Sequence, residues 1–183
     1  MDTEGKVVYI TGGSRGIGRG TAGYLLEKGY RVAISSRDLE AARRAAAELG
    51  APESRLLPLQ SDVRNFKDEQ QAVAAIIDKW GRLDVLVANA GVGHYAPIGE
   101  LSHEQWQAVI DTNITGVFNS TKAALEPITQ AKGYIITISS LAGANFFAGG
   151  TAYNASKFAI VGFTQALMLD LRQQGVKVST IMP

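Results

Sequence analysis

The 183 residues carry 18 Lys and Arg against 17 Asp and Glu, a formal net charge of +1, with 46% hydrophobic residues and no cysteine. That length suits one domain, residues 1–183, with a core of its own. The balanced charge gives no global field for nucleic acid or an anionic membrane, and the lack of cysteine excludes disulfides and thiolate chemistry and fits a reducing, cytoplasmic setting.

The opening "MDTEGKVVYITGG" is acidic and runs directly into a β-branched stretch, so it reads as entry into a strand rather than a signal peptide. No apolar run approaches the ~20 residues needed to span a bilayer. Strands are predicted at 6–11, 31–35, 55–60, 83–88, 133–139 and 176–182, with helices at 16–28, 38–49, 66–80, 103–130 and 152–173. Several central strands are apolar on both faces, which a parallel sheet covered by helices requires. The alternation predicts an α/β fold, a doubly wound parallel sheet of the Rossmann type in three layers, α/β/α.

Between the first strand and first helix lies "TGGSRGIG" at 11–18. Gly12, Gly16 and Gly18 let the backbone approach a pyrophosphate, which then sits on free N–H groups at the positive end of the helix. A dinucleotide site also needs a partner for the adenosine ribose about 20 residues further on, where an acid would favour NAD. "ISSRD" instead places Ser36 there, followed by Arg37, with Arg15 a second cation in the loop. A charge-assisted bond from Arg to phosphate contributes roughly 1.5–3 kcal/mol, so this pair favours NADP (NADPH) over NAD. Asp38 is read as the cap of the following helix, and Ser102 with Gln105 as a capping box opening the 103–130 helix.

The last helix is apolar on more than one stripe, through Phe158, Ile160, Val161, Phe163, Leu167, Leu169 and Leu171 among others. A helix lying on a sheet needs one apolar face. Two readings stand: a second face buried against another subunit, or a helix buried deeply within its own. The same helix opens with "YNASK", which sets Tyr153 and Lys157 four residues apart on one face. A phenol alone is a weak base at neutral pH. An ammonium about 4 Å away, at an effective dielectric of ~20, favours the phenolate by about 4 kcal/mol. The spacing therefore makes sense if Tyr153 gives and takes a proton and Lys157 tunes it. His94 and His103 are the only histidines, without metal-ligand spacing or a hydrolase triad around them; His94 reads as a plain loop position. No metal site is expected.

Six motifs in this order carry a resemblance: "TGGSRGIG", "SDV", "ANAG", "DTNITGVF", "TISSLAG" and "YNASK". From residue 6 to its end the chain resembles the short-chain dehydrogenase/reductase family, NAD(P)-dependent oxidoreductases on a single Rossmann domain. The resemblance implies that Asn113, Ser140, Tyr153 and Lys157 are catalytic. Ser140 would bond the substrate oxygen, Lys157 would also hold the nicotinamide ribose, and Asn113 would anchor a water in a proton relay. It implies cofactor contacts from Gly12, Ser14, Arg15, Gly16, Ile17, Gly18, Arg37, Asp62, Val63, Asn89, Ala90, Gly91, Tyr153, Lys157 and Pro183, with Asp62 at the adenine and Asn89 steadying the sheet. Pro183 falls where the family has Pro-Gly, followed by a segment over the substrate and a last strand that are missing here. The implied activity is hydride transfer between NADP(H) and a carbonyl or secondary-alcohol substrate, by a homo-oligomer (dimer or tetramer) formed through the helices at 103–130 and 152–173. The competing expectation is a truncated form, or a structural subunit, that binds the cofactor without turnover. In "LAGANFFAGGT", Phe146 and Phe147 either line an apolar substrate pocket or pack beneath the loop.

Overall fold

Val7–Ile10 forms β1 with all four residues buried, because this strand is covered on both faces. The computed structural model describes residues 5–183, so the acidic start at 1–4 lies outside it. After β1 come α1 (Gly16–Glu27), β2 (Arg31–Ser36), α2 (Leu39–Leu49), β3 (Leu56–Gln60), α3 (Phe66–Trp80), β4 (Val85–Ala88), α4 (His103–Ile110), α5 (Gly116–Gln130), β5 (Tyr134–Ile138), α6 (Thr151–Leu171) and β6 (Lys177–Ile181). The strands form one parallel sheet in the order β3-β2-β1-β4-β5-β6. This is the doubly wound arrangement expected from the alternation of elements, and the order reverses between β1 and β4, where a crevice opens at the C-terminal ends of the strands.

The two-residue period of β1 divides the core. Val7 and Tyr9 pack with Val73 and Ile76 of α3, Ala124 and Ile128 of α5, and Ile160 of α6. Val8 and Ile10 face the other side, against Ala22 and Leu26 of α1 and Ala45 of α2. On that second side, Tyr134, Ile136 and Ile138 of β5 are only half-buried. Asp38 caps α2 by accepting from Glu40 N at 2.9 Å, and Ser102 and Gln105 form the expected capping box on α4.

Two expectations need correction. The helix predicted over 103–130 is interrupted: between α4 and α5, Asp111–Thr115 forms one turn of π-helix. Such a turn loosens the ordinary ladder, and here the Asn113 side chain compensates with bonds outside its own helix. The last helix is not deeply buried either, since Phe158 and Leu169 of α6 are 45% and 59% exposed. Its surplus apolar stripe faces outward. Among the described residues no helix is long and apolar enough to cross a membrane.

One polar cluster lies inside the core beneath the crevice. Glu69 of α3 is fully buried, and its Oε1 accepts from Tyr9 Oη at 3.0 Å and from Ser61 Oγ at 2.5 Å, while Oε2 has no partner among the described residues. Burial pushes the Glu69 carboxyl above its ordinary value, though the neighbouring hydroxyls of Ser61, Ser120 and Tyr9 oppose this. Burial, with the nearby Glu69 charge, likewise raises Tyr9. Because the folded carboxyl keeps its proton to higher pH than the unfolded one, the native state binds more protons in that interval, and stability falls as pH rises through it. Glu69→Gln keeps an acceptor for Tyr9 and Ser61 without the ionisation. The stability of wild type relative to Glu69→Gln is therefore expected to decline from about pH 4.5 upward, read as urea midpoints across a pH series. Parallel midpoints at every pH would overturn this.

Candidate active site

The glycine turn is shaped by close backbone approach. Gly12 has φ +64, and a Cβ there would stand 2.9 Å from Ala90 Cα; a Cβ on Gly18 would stand 2.6 Å from Asn89 Nδ2. Both positions bring the turn and the start of α1 onto the end of β4. Asn89 secures the junction, donating from Nδ2 to Thr11 O at 2.8 Å and Gly12 O at 3.2 Å. Thr11 Oγ1 accepts from the backbone N–H of both Asn89 and Ala90 at 3.0 Å. Arg15 stands at the N-cap of α1 without a side-chain capping bond, and the first turn contains no acid. Open N–H groups therefore remain at a positive helix end, the arrangement an anion binds.

Above this turn is a cleft of about 450 Å³ lined by Gly12, Ser14, Arg15, Gly16, Ile17, Arg37, Asp62, Val63, Asn89, Ala90 and Gly91. It thus gathers most of the residues assigned to a cofactor from sequence; Gly18 packs beneath it. The Arg15 and Arg37 side chains make no hydrogen bond or ion pair among the described residues, and both are exposed. Asp38 is engaged in capping. Arg64 donates to both oxygens of Asp62, at 2.9 and 2.5 Å, and this pairing holds the Asp62 carboxyl below its usual range. Ser36, placed at the ribose position from sequence, also lines the cleft, as do Asp38, Ala41, Ser61, Val92 and Thr112, which the sequence reading did not assign to the cofactor. An uncapped helix start, glycines where a side chain would collide, and the exposed Arg15 and Arg37 lining the cleft fit a dinucleotide phosphate.

The cleft continues into a smaller cavity of about 350 Å³, which shares Ile17, Asn89, Gly91 and Val92 with it and adds Ser140, Tyr153, Lys157 and Pro183. Tyr153 and Lys157 come from the first turns of α6. Ser140 follows β5, where its Oγ accepts from Ala142 N at 3.2 Å and starts a short 3₁₀ turn, Leu141–Gly143. Lys157 is nearly buried, donates from Nζ to Ile138 O at 2.8 Å and lies 5.5 Å from the centre of the Tyr153 ring. Burial lowers its pKa to about 8. The ammonium is thus tethered to the end of β5, and an aromatic face supplies further attraction.

Asn113 does not line these cavities. Its Oδ1 accepts from Val92 N at 2.8 Å, and its Nδ2 donates to Val92 O at 2.9 Å and Ser156 Oγ at 3.0 Å. The side chain clamps the segment after β4 to α6, which the π turn makes possible by presenting it there. His94 lines none of the three cavities at this edge, in line with its reading as a loop residue. Its neighbour Tyr95, absent from the sequence-based set, does: its ring meets Tyr153 edge-on at 5.4 Å. An aromatic residue closing the short glycine segment "GVGHY" was the available signal.

A parallel sheet with a glycine turn at its switch point and a Tyr–Lys pair beside it defines a class of nicotinamide-linked oxidoreductases. The family model described as short chain dehydrogenase matches residues 6–183, and the chain belongs to this oxidoreductase family. It is 37% identical over 180 residues to a 3-oxoacyl-[acyl-carrier-protein] reductase of Synechocystis sp., covering 97% of this chain and 73% of that protein. The structure of a 3-ketoacyl-(acyl-carrier-protein) reductase from Brucella melitensis complexed with NADH is similar at a TM-score of 0.94 and 29% identity, covering 100% of this chain and 76% of that one. An NAD+-bound xylitol dehydrogenase is similar at a TM-score of 0.93 and 30% identity, covering 100% and 71%.

Proposed function

We propose that residues 1–183 form one domain with both a cofactor site and a catalytic site, and that it reduces a carbonyl group, or oxidises the corresponding secondary alcohol, with NADP(H). The observation that carries this reading is the continuity of the two cavities: the cleft of the glycine turn runs through Ile17, Asn89 and Gly91 to Tyr153, Lys157 and Ser140. A bound dinucleotide supplies or accepts the hydride at the nicotinamide. Tyr153 transfers the proton to or from the substrate oxygen, and Ser140 Oγ orients that oxygen. Lys157 supplies positive charge next to the phenol and a donor for ribose hydroxyls, while Asn113 holds the β4 loop against α6 so that the two halves of the site keep their spacing.

The preference for NADP rests on Arg15 and Arg37, with Ser36 in place of an acid, although the two structural neighbours above carry NADH and NAD+. Exposed guanidinium groups lining the cleft favour a 2′-phosphate. A homo-oligomer, dimer or tetramer, through the helices at 103–130 and 152–173 is part of the proposal. It is supported by Phe118 on α5 and Phe158 and Leu169 on α6, all at least 45% exposed. A cytoplasmic location completes it. The deciding assay is carbonyl-dependent oxidation of NADPH by the purified chain. Turnover supports the reading, whereas cofactor binding without turnover of any carbonyl in a broad panel would turn it toward a cofactor-binding subunit.

A further inference from the structure

Next to Tyr153, on the side away from the glycine turn, lies an open cavity of about 700 Å³. None of its eight lining residues is charged, and its walls are dominated by Tyr95, Leu141, Phe146 and Phe147. These four side chains are 61%, 60%, 84% and 46% exposed. A contiguous apolar patch of this kind on a soluble fold marks a place where something apolar binds.

The wall is built rather than incidental. The Tyr95 ring packs edge-on against Tyr153 at 5.4 Å and against Phe147 at 5.9 Å with a 43° tilt. Each ring is seated over a glycine: a Cβ on Gly93 would stand 2.5 Å from Tyr95 Oη, and one on Gly150 would stand 2.5 Å from Phe147 Cε2. The two loops that carry the rings are joined by Ala96 N donating to Gly149 O at 2.8 Å. Asn154, the residue after Tyr153, donates from Nδ2 to Phe147 O at 3.1 Å. The aromatic wall and the candidate proton donor are therefore held by one set of contacts.

Chemistry at this wall selects by ring and by charge. Tilted aromatic pairs leave faces and edges for a further ring. A carboxylate or phosphate would find no cation among the residues lining this wall. We infer that the substrate is a neutral ketone bearing an aromatic or alicyclic ring, or the matching secondary alcohol, whose ring packs on Tyr95 and Phe147 while its oxygen meets Tyr153 and Ser140. The inference rests on the reading of Tyr153 as proton donor. In the reductive direction the carbonyl carbon gains a hydride from the reduced nicotinamide dinucleotide and the oxygen gains the Tyr153 proton. The ketone becomes an alcohol, the dinucleotide is oxidised, and Tyr153 is reprotonated from solvent.

The test compares acetophenone, butanone and pyruvate as substrates of the NADPH-loaded chain, with acetophenone binding to the loaded chain measured separately by calorimetry. Acetophenone is expected to exceed the other two in kcat/KM by about tenfold or more. Tyr95→Ala and Phe147→Leu are each expected to raise KM for acetophenone severalfold more than KM for butanone, and to weaken acetophenone binding in parallel. Phe147→Leu keeps an apolar side chain beneath the loop, so a loss there is not one of folding. Equal KM changes for both ketones, or pyruvate turned over as well as acetophenone, would overturn the inference while leaving the Tyr153 reading intact. Acetophenone binding that both variants weaken, without turnover of any ketone, would keep the aromatic wall as a ring-binding surface but overturn both the assignment of such ketones as substrates and the Tyr153 reading. Neither turnover nor binding of acetophenone would overturn both.

Discussion

Tyr153→Phe is expected to lower kcat for carbonyl reduction by about 10²–10⁴-fold, the usual contribution of a positioned proton donor, while NADPH binding changes little. The ring of Tyr153 is half-buried and held edge-on by Tyr95, so phenylalanine preserves the packing and removes only the hydroxyl. Lys157 keeps its own anchor on Ile138 O in the variant, and the cofactor cleft beyond Asn89 is not touched. Steady-state kinetics beside a calorimetric titration of the same preparation separate the two effects. A variant that retains kcat within about twofold would place the proton donor elsewhere, with Ser140 and Tyr95 the candidate hydroxyls in the same cavity.

Arg37→Ala is expected to weaken NADPH by about 10–100-fold, the equivalent of the roughly 1.5–3 kcal/mol carried by a charge-assisted bond to phosphate. NADH affinity is expected to stay within about twofold, because NADH has no 2′-phosphate for the guanidinium to meet. Arg37 is exposed and lines the cleft with Arg15, so the discrimination is also expected to shrink at high salt. Equal losses for the two nucleotides would remove the phosphate clamp.

Much of this molecule follows from local patterns. Strand and helix periods gave the order of elements, because fully covered strands such as Val7–Ile10 are apolar throughout and the helices between them are long. Spacing alone put Tyr153 and Lys157 on one face, since a helix fixes that geometry within a single turn. What escaped the pattern depends on contacts far apart in sequence. The π turn at 111–115 adds one residue whose cost is met by Asn113 bonding Val92, 21 positions away. Nothing in the local pattern of "FKDEQQ" singles out Glu69, yet packing of α3 brings it under Tyr9, 60 positions away. Tyr95 joins the site only because its loop is bonded to the one that carries Phe147. The outward stripe of α6 had two readings in the sequence, and only its exposure in the folded chain removes the deeply buried one.

The most direct test of hydride transfer at this site uses NADPH deuterated at its transferable position, incubated with a panel of neutral ketones and with wild type and Tyr153→Phe side by side. Mass spectrometry of the alcohol products is expected to find one deuterium on the carbinol carbon with wild type and product reduced by at least about 10²-fold with the variant. Alcohol without deuterium, deuterated alcohol formed equally by both proteins, or no alcohol from any ketone despite bound NADPH would contradict the proposal.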